Sequence, residues 1–495
     1  MSVTTVSGGA PAVVLGGGVA GLAAARLVAR HVSRVVVLER DVRSDAAEPE
    51  LAFRDWERPG VPQFRHSHAF LARLRLVLLA HMPEVLERLR EIGVREITLA
   101  ETAPPGLLVT PDAADEDVVL LACRRSTFEW ALRESVRALP NVELREGMFA
   151  AGLVAVPGPQ ARPRITGVRL DDGTVVPASF VVDALGRRSP APAWLASLGA
   201  GTPREQSTET GIFYYTRFYR LRRHKAPRGT TGLVAGDAGW VKLAIFPGDA
   251  DTFSITVGTP VDDAALKRLA DPVQFERFVA AFPQLAPWRT RGVSEPIGGD
   301  AGPVRVMGQL KNRMRHFVDD GGPLAAGLFV VGDAAYHSNP IYGRGCPSAM
   351  VQASLLDEVL GRHPRDLVAA AAGLHALSEQ QIRPFWEAAV ASDRRMRGET
   401  ASPNGDTAFL ADLSAAAVKF VLERGILPAT RVDPVVFRGL LRIFHMLDGP
   451  EVLLRDPEML LRTVPVLARS VLGVGPGGDF EFVPRAAVLA RLDAA

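Results

Sequence analysis

A six-residue turn, Gly16-Gly17-Gly18-Val19-Ala20-Gly21, constrains this chain more than any other feature. It follows Ala12 to Leu15, an apolar run of the length of a buried strand, and precedes a helical stretch from Leu22 to Arg30. A second strand-like run, Val35-Val36-Val37-Leu38, ends in Glu39-Arg40. Strand, G-x-G-x-x-G, helix, strand, acid is the order of a dinucleotide-binding βαβ unit, with the acid about 20 residues past the glycines. Gly16 permits the tight turn, Gly18 lets backbone approach a pyrophosphate, and Gly21 allows helix and strand to pack closely. Val19 and Ala20 open the helix, whose free N–H groups and positive dipole end face the phosphates. Glu39, with Arg40 beside it, is the candidate ribose contact, and its charge disfavours the 2′-phosphate of NADP. This segment alone does not choose between FAD and NAD.

A second constellation lies some three hundred residues on. The strand-like Leu328-Phe329-Val330-Val331 runs into Gly332-Asp333-Ala334-Ala335, then Asn339-Pro340-Ile341-Tyr342-Gly343-Arg344-Gly345, then an apolar helical stretch from Pro347 to Leu360. Asp333 at a strand end suits a sugar-like chain, and the new helix N-terminus suits an electron-rich ring edge. A nicotinamide cofactor has no use for this second unit, whereas a cofactor with a ribityl chain and an isoalloxazine has. Between the two lies Val181-Val182-Asp183-Ala184-Leu185-Gly186-Arg187-Arg188-Ser189, after a hairpin turning at Asp171-Asp172-Gly173. Here Asp183 and Gly186 repeat the pattern of strand-end acid and close glycine. In Arg124-Arg125-Ser126-Thr127-Phe128-Glu129, Ser126 and Glu129 have capping-box spacing. That spacing predicts a helix from there to about Ala138, with Arg125 placed to reach a phosphate or ribose.

In this order, GGGVAG…ER, RRSTFEWAL, DALGRRS and GDAAYHSNPIYGRG resemble the FAD-dependent monooxygenases of the para-hydroxybenzoate hydroxylase type. The branch of polyether epoxidases and styrene-monooxygenase-like proteins is similar in three further places. These are Pro62-Gln63-Phe64-Arg65-His66-Ser67-His68, Asn339-Pro340-Ile341-Tyr342-Gly343 and Phe444-His445-Met446-Leu447. The resemblance implies an α/β fold: a glutathione-reductase-type FAD-binding Rossmann fold with an inserted antiparallel β-sheet substrate domain and a helical C-terminal region. The corresponding ranges are 1–200 and 301–362 for the FAD-binding domain, 201–300 for the substrate domain and 363–495 for the helical region. It implies pyrophosphate at Gly16, Gly18 and Gly21, adenosine ribose at Glu39, and the ribityl-pyrophosphate region at Arg125 and Asp333. The flavin ring would lie along Pro340 to Gly345, including Gly343 and Arg344, with Arg65 and His66 as polar neighbours. Two departures stand out. The third motif is not the commoner DGxxS form, and Arg344 and Cys346 stand where Gln and Met are expected.

The implied activity is insertion of one oxygen atom from O2 into an apolar organic substrate, by epoxidation or hydroxylation, in secondary metabolism. Electrons would come from NAD(P)H docking transiently or from a separate flavin reductase. The alternatives weighed are a dehydrogenase or reductase similar to geranylgeranyl reductases, a flavin halogenase and a non-enzymatic carrier. The halogenase is suggested by a partial motif at Trp240-Val241-Lys242. No side chain stands out as catalytic, and no metal site is expected, because His66 and His68 lack a third ligand.

Composition excludes several classes. A net charge of +2 argues against nucleic-acid partners. Two distant cysteines, Cys123 and Cys346, exclude a disulfide framework and fit a reducing, cytoplasmic setting. No apolar run reaches membrane-spanning length, and no positive segment precedes the apolar Pro11–Ala25 stretch as a signal peptide requires. The polar segment Arg43 to Gly60 reads as a surface excursion. Helical spacing runs through Arg73–Gly93, Leu367–Phe385, Ala408–Glu423 and Pro434–Leu447, with a turn-rich break at Ser402–Asp406. Strand-like composition marks Phe213–Tyr219, Trp240–Phe246 and Thr252–Val257. The amphipathic tail suits packing on the body, and also leaves room for weak membrane-surface association or a lid.

Overall fold

The computed structural model describes residues 9–158, 162–222, 234–290, 292–399, 417–473 and 483–493. In chain order, the elements that position the site begin with β1 (Ala12–Leu15), α1 (Val19–Val28), β2 (Val35–Glu39), α2 (Arg125–Arg137), β3 (Val142–Glu146) and β4 (Phe180–Asp183). They continue with β5 (Ile212–Leu221), β6 (Val234–Asp237), β7 (Lys242–Pro247), β8 (Thr252–Pro260), β9 (Ser294–Pro296) and β10 (Leu328–Val330). The helices α3 (Gly345–Arg362), α4 (Leu367–Gln381), α5 (Arg383–Met396), α6 (Pro434–Phe444), α7 (Pro457–Val471) and α8 (Arg485–Asp493) complete the set.

The apolar runs of the FAD-like motifs form one sheet in the order β10-β4-β1-β2-β3, every pairing parallel. The four strands β10, β4, β1 and β2 are buried and mostly apolar because both faces of the sheet are covered, as parallel sheets are, whereas the edge strand β3 is half-exposed and carries charged residues. Register sets the functional edge. Leu15 lies opposite both Leu38 and Asp183, and Val330 also lies opposite Asp183, so the strands carrying three of the motifs end at one level. α1 packs against α3, which brings the first and last motifs together although they are far apart in the chain.

The second sheet is antiparallel, in the order β6-β7-β8-β5-β9, with Arg305–Met307 also paired to β5. One face buries Tyr215, Tyr219, Phe253, Ile255 and Val257 against Phe275, Phe278, Phe282 and Trp288. The other face presents Thr216, Ser254 and Thr256 to the 66–68 segment. Ser67 Oγ lies 2.6 Å from both Ser254 Oγ and Thr256 Oγ1, and His66 Nδ1 lies 3.1 Å from Thr216 Oγ1. Arg124 ties the two sheets together. Its guanidinium grips Asp249 at 2.6 Å, both groups buried, and its backbone N–H donates to the same carboxylate at 2.8 Å.

The tail returns to the body in two places. Phe437 of α6 packs on Leu99 and Val118, while Arg438 pairs with Asp115 at 2.6 Å. α8 contributes Val488 and Leu492 to the second sheet's core. Among the described residues, no helix is long and apolar enough to cross a membrane.

Several local expectations are corrected. The 73–93 stretch is two helices, Ala72–His81 and Pro83–Glu91, because Pro83 cannot continue the first. The 367–385 stretch likewise divides into α4 and α5 just ahead of Pro384. The 43–60 segment is not simply an excursion, since Arg43, Trp56 and Arg58 are buried. Of the helix expected over 408–423, residues 417–421 are helical and run into a π-turn, Leu422–Ile426. The remainder, and the break at 402–406, lie outside the described residues.

Candidate functional site

The functional edge is built by glycines whose missing Cβ atoms let three chain segments touch. Gly16 has φ +97°, and a Cβ there would meet Ala184 O at 2.7 Å. A Cβ on Gly21 would fall 1.8 Å from Gly16 O. Gly332 has φ +64°, and its Cβ would meet the Ala20 methyl at 2.7 Å. The opening turn, the Asp183–Ser189 turn and the Gly332–Asp333 turn are therefore in contact at one end of the parallel sheet. Gly18 behaves differently: a Cβ there would meet nothing within 4 Å. Open space thus lies in front of α1's free amides, where Val19 and Ala20 begin the helix.

Across this edge, Gly332 N–H donates to Gln352 Oε1 of α3 at 2.6 Å. This bond draws Asp333 toward the first turns of α3. The Asp333 carboxylate stays partly exposed, with His337 Nε2 3.9 Å away. Pro340 opens a short helical turn, Pro340–Tyr342, that ends at Gly343 with φ +66°. α3 then starts at Gly345 with its first-turn amides uncapped by any side chain. Arg125, buried, reaches from α2 to the same place. Its Nη1 donates to Cys346 Sγ at 3.6 Å and to His68 Nε2 at 3.3 Å. His68 Nδ1 donates to His66 O at 2.9 Å, so the neutral tautomer with the proton on Nδ1 satisfies both bonds. Burial holds both imidazoles neutral, lowering His66 to about 4 and His68 to about 3, with the charges of Arg305 and Arg125 respectively acting in the same direction. Burial also raises the Cys346 thiol, which leaves it protonated at neutral pH.

The Glu39 end of this edge carries a buried ionic knot that sequence reasoning missed. Glu39 accepts N–H bonds from Gly17 at 2.7 Å and Asp41 at 2.8 Å, and pairs with Arg58 at 3.1 Å. Arg58 also pairs with Asp41 at 3.0 Å and with Glu129. Arg43 donates to Gly17 O at 3.1 Å and pairs with Glu146 at 2.8 Å. Burial lowers Arg58 to about 10, so it remains charged at neutral pH. Glu129 is therefore no capping residue. α2 starts one residue ahead of Ser126, whose Oγ finds no partner, and Glu129 points inward because Arg58 and Arg43 need a carboxylate there. The signal was faint: Glu129 sits among Phe128, Trp130 and Leu132, a buried stretch of helix.

Other candidates are taken up by structural bonds or point away from the opening. Asp183 is fully buried, and its oxygens accept from Leu185 N–H at 2.9 Å and from Ser189 Oγ, so it shapes the Gly186 turn rather than facing the opening. Arg65 donates to Arg54 O and Trp56 O at 3.1 and 3.0 Å and braces that loop. Arg40 is exposed, 3.6 Å from Asp41. Arg344 turns away from the edge. It donates to Phe385 O at 3.0 Å and stacks over Tyr342 and Phe385. Trp240 and Lys242 belong to the second sheet, with Trp240 packed on Phe278 and Lys242 paired to Asp237 at 2.6 Å. His316, His375 and Glu379 come together, but Glu379 is already bonded by Tyr336 OH and by Arg383 at 2.7 Å.

No known family's sequence profile matches the chain. The protein Rv3254 of Mycobacterium tuberculosis is 27% identical over 466 residues, covering 88% of this chain and 90% of that protein. Among solved structures, pqsL of Pseudomonas aeruginosa, a probable FAD-dependent monooxygenase, aligns with TM-score 0.57 at 18% identity, over 78% of this chain and 96% of that one. The flavin-dependent brominase Bmp2 aligns with TM-score 0.60 at 14% identity, over 93% and 99%. OxyS, an anhydrotetracycline hydroxylase from Streptomyces rimosus, aligns with TM-score 0.53 at 17% identity, over 88% and 76%. The fold is thus one shared by FAD-dependent monooxygenases and halogenases.

Proposed function

We propose that this chain is an FAD-dependent monooxygenase that inserts one oxygen atom of O2 into an apolar organic substrate, by epoxidation or hydroxylation. The observation that carries the reading is the contact of Gly332 with Ala20. It sets the α1 N-terminus and the Asp333–Gly345 segment on one edge, at the two ends of a cofactor too long for either alone. The residues suit FAD. Gly18 leaves room for a pyrophosphate, α1 supplies amides and a positive dipole end, and the Asp333 carboxylate is open to hydroxyl donors. Glu39 would hold the ribose, Asp333 the ribityl chain, and Pro340 to Gly345 the ring. When bound, FAD supplies the activation of O2 and the transfer of oxygen.

The protein's own tasks are binding, orientation and exclusion of water. The α3 N-terminus favours negative charge at the ring edge. Arg125 adds a fixed positive charge beside Cys346. His66 and His68, held neutral, add no competing cation. Ile341 packs on the buried Ile212, Tyr214, Met307 and Leu310, which anchors the Pro340–Tyr342 turn. Within this reading, reducing equivalents come from NAD(P)H directly or from a partner reductase.

Purified protein should be yellow with an FAD spectrum, and anaerobic mixing with NADPH separates the two electron routes. Rapid bleaching without an added protein identifies direct reduction. A colourless protein that cannot be reconstituted with FAD refutes the function. Product formed under isotopic O2 without label would favour a dehydrogenase or reductase instead.

A further inference from the structure

Asp393 lies on α5, outside every FAD-like motif, and is fully buried. Three side-chain donors converge on its carboxylate. Asn339 Nδ2 at 2.9 Å and Tyr342 OH at 2.8 Å reach Oδ1, and Asn312 Nδ2 at 2.6 Å reaches Oδ2. Asn339 is held on its other side as well. Its Oδ1 accepts from Tyr214 OH and from Ile341 N–H at 3.2 Å, and its own N–H donates to Asn312 Oδ1 at 2.7 Å. Four parts of the molecule therefore meet at one acid: β5 through Tyr214, the Lys311–His316 strand through Asn312, the Asn339–Tyr342 turn, and α5.

All three donors are neutral, and among the described residues no guanidinium bonds the acid. Burial raises its pKa while the hydrogen bonds from Asn312, Tyr342 and Asn339 draw it back. An acceptor-only group is what three converging donors require. Burying a carboxylate is costly, and an apolar side chain would pack there more cheaply. What the acid adds is direction. It fixes the turn that leads through Gly343 and Arg344 into Gly345, and so fixes where the α3 N-terminus points.

We propose that Asp393 is a positioning residue for the ring end of the FAD site, bracing the Asn339–Tyr342 turn from behind. On this view the helical region after α3 serves the cofactor as a brace rather than as a lid. The inference rests on the FAD reading above and names the residue that completes it.

The test uses full-length apoprotein, wild type and Asp393→Asn, titrated with FAD and separately with ADP, which reaches only the Glu39 end. The asparagine keeps the shape but sets an NH2 against at least one donor. FAD binding should weaken about tenfold, the cost of one charge-assisted hydrogen bond. The absorption bands of the bound flavin should shift, while ADP binding stays as in wild type. Unchanged FAD affinity and spectrum would overturn the proposal, as would an equal loss of ADP and FAD binding, which marks a general structural defect. Should Asp393→Asn fail to fold, Tyr342→Phe removes one donor and keeps the charge. A shifted flavin spectrum with normal ADP binding then supports the brace, and a wild-type spectrum overturns it. Wild-type protein that binds no FAD at all would overturn the proposed function itself, a result distinct from any of these.

Discussion

At Gly18 and Gly21, three positions apart, the same substitution has opposite consequences. Alanine at Gly21 would put its methyl 1.8 Å from a carbonyl oxygen, so Gly21→Ala should lose at least about 3 kcal/mol of stability or fail to fold. Alanine at Gly18 meets no atom within 4 Å and needs no left-handed backbone, so Gly18→Ala should unfold at the wild-type temperature. Yet it should bind FAD at least about tenfold more weakly, because its methyl would enter the space proposed for the pyrophosphate. Thermal unfolding of the apoprotein and FAD titration together read both. Arg58 is the other informative residue. Its removal leaves Glu39, Asp41 and Glu129 buried around a missing cation, so Arg58→Ala should cost about 3–5 kcal/mol in denaturant unfolding. Nothing in the local sequence marks Arg58, because its partners lie elsewhere in the chain, Glu39 and Asp41 at the end of β2 and Glu129 on α2. Glu39, by contrast, was legible from its distance to the glycines.

Among elements, the docking of the tail depends on histidine. His445, just past α6, accepts the Ala72 N–H on Nδ1 at 3.0 Å, a bond that a protonated ring cannot make. Burial lowers His445 and His66 to about 4, well below the ordinary value near 6.5. The folded state therefore excludes protons that the unfolded chain accepts. This stabilisation is complete above about pH 6.5 and is lost as pH falls toward 4, by up to about 3 kcal/mol for each residue. Unfolding free energy measured between pH 7.5 and 4.5 should fall accordingly. His445→Gln, whose amide oxygen can accept the same N–H, should flatten part of that slope. Helix and strand identity were readable in these elements from periodicity and from Gly and Pro. Helix ends were less so, since a serine and a glutamate at capping spacing lost to the needs of buried arginines at Glu129.

For the whole molecule, the Arg124–Asp249 pair is a buried ionic link between the parallel sheet's domain and the antiparallel sheet. Asp249→Asn should leave a buried guanidinium short of a charge partner and separate one unfolding transition into two, visible by calorimetry. FAD binding should act on the unit that holds it: at a hundredfold excess over its dissociation constant the cofactor adds about 2.7 kcal/mol, so the parallel-sheet transition should rise. A parallel-sheet transition unmoved by FAD would contradict the proposed site.

The linear order of residues was enough to determine a βαβ unit with a glycine-rich turn, a later strand–turn–helix with an acid at its strand end, a sheet-rich middle and a helical tail. Each of these is written in local patterns of apolar spacing, glycine and charge. Only the tertiary structure decided which polar groups serve the opening and which serve the interior. Asp183, Arg65 and Arg344 carry promising local signatures but are consumed by neighbouring backbone. Arg58, Asn312 and Asp393 carry none, yet complete clusters assembled from distant segments. A buried charge is stable only where its partners converge, and convergence is a property of packing that no single stretch of chain encodes.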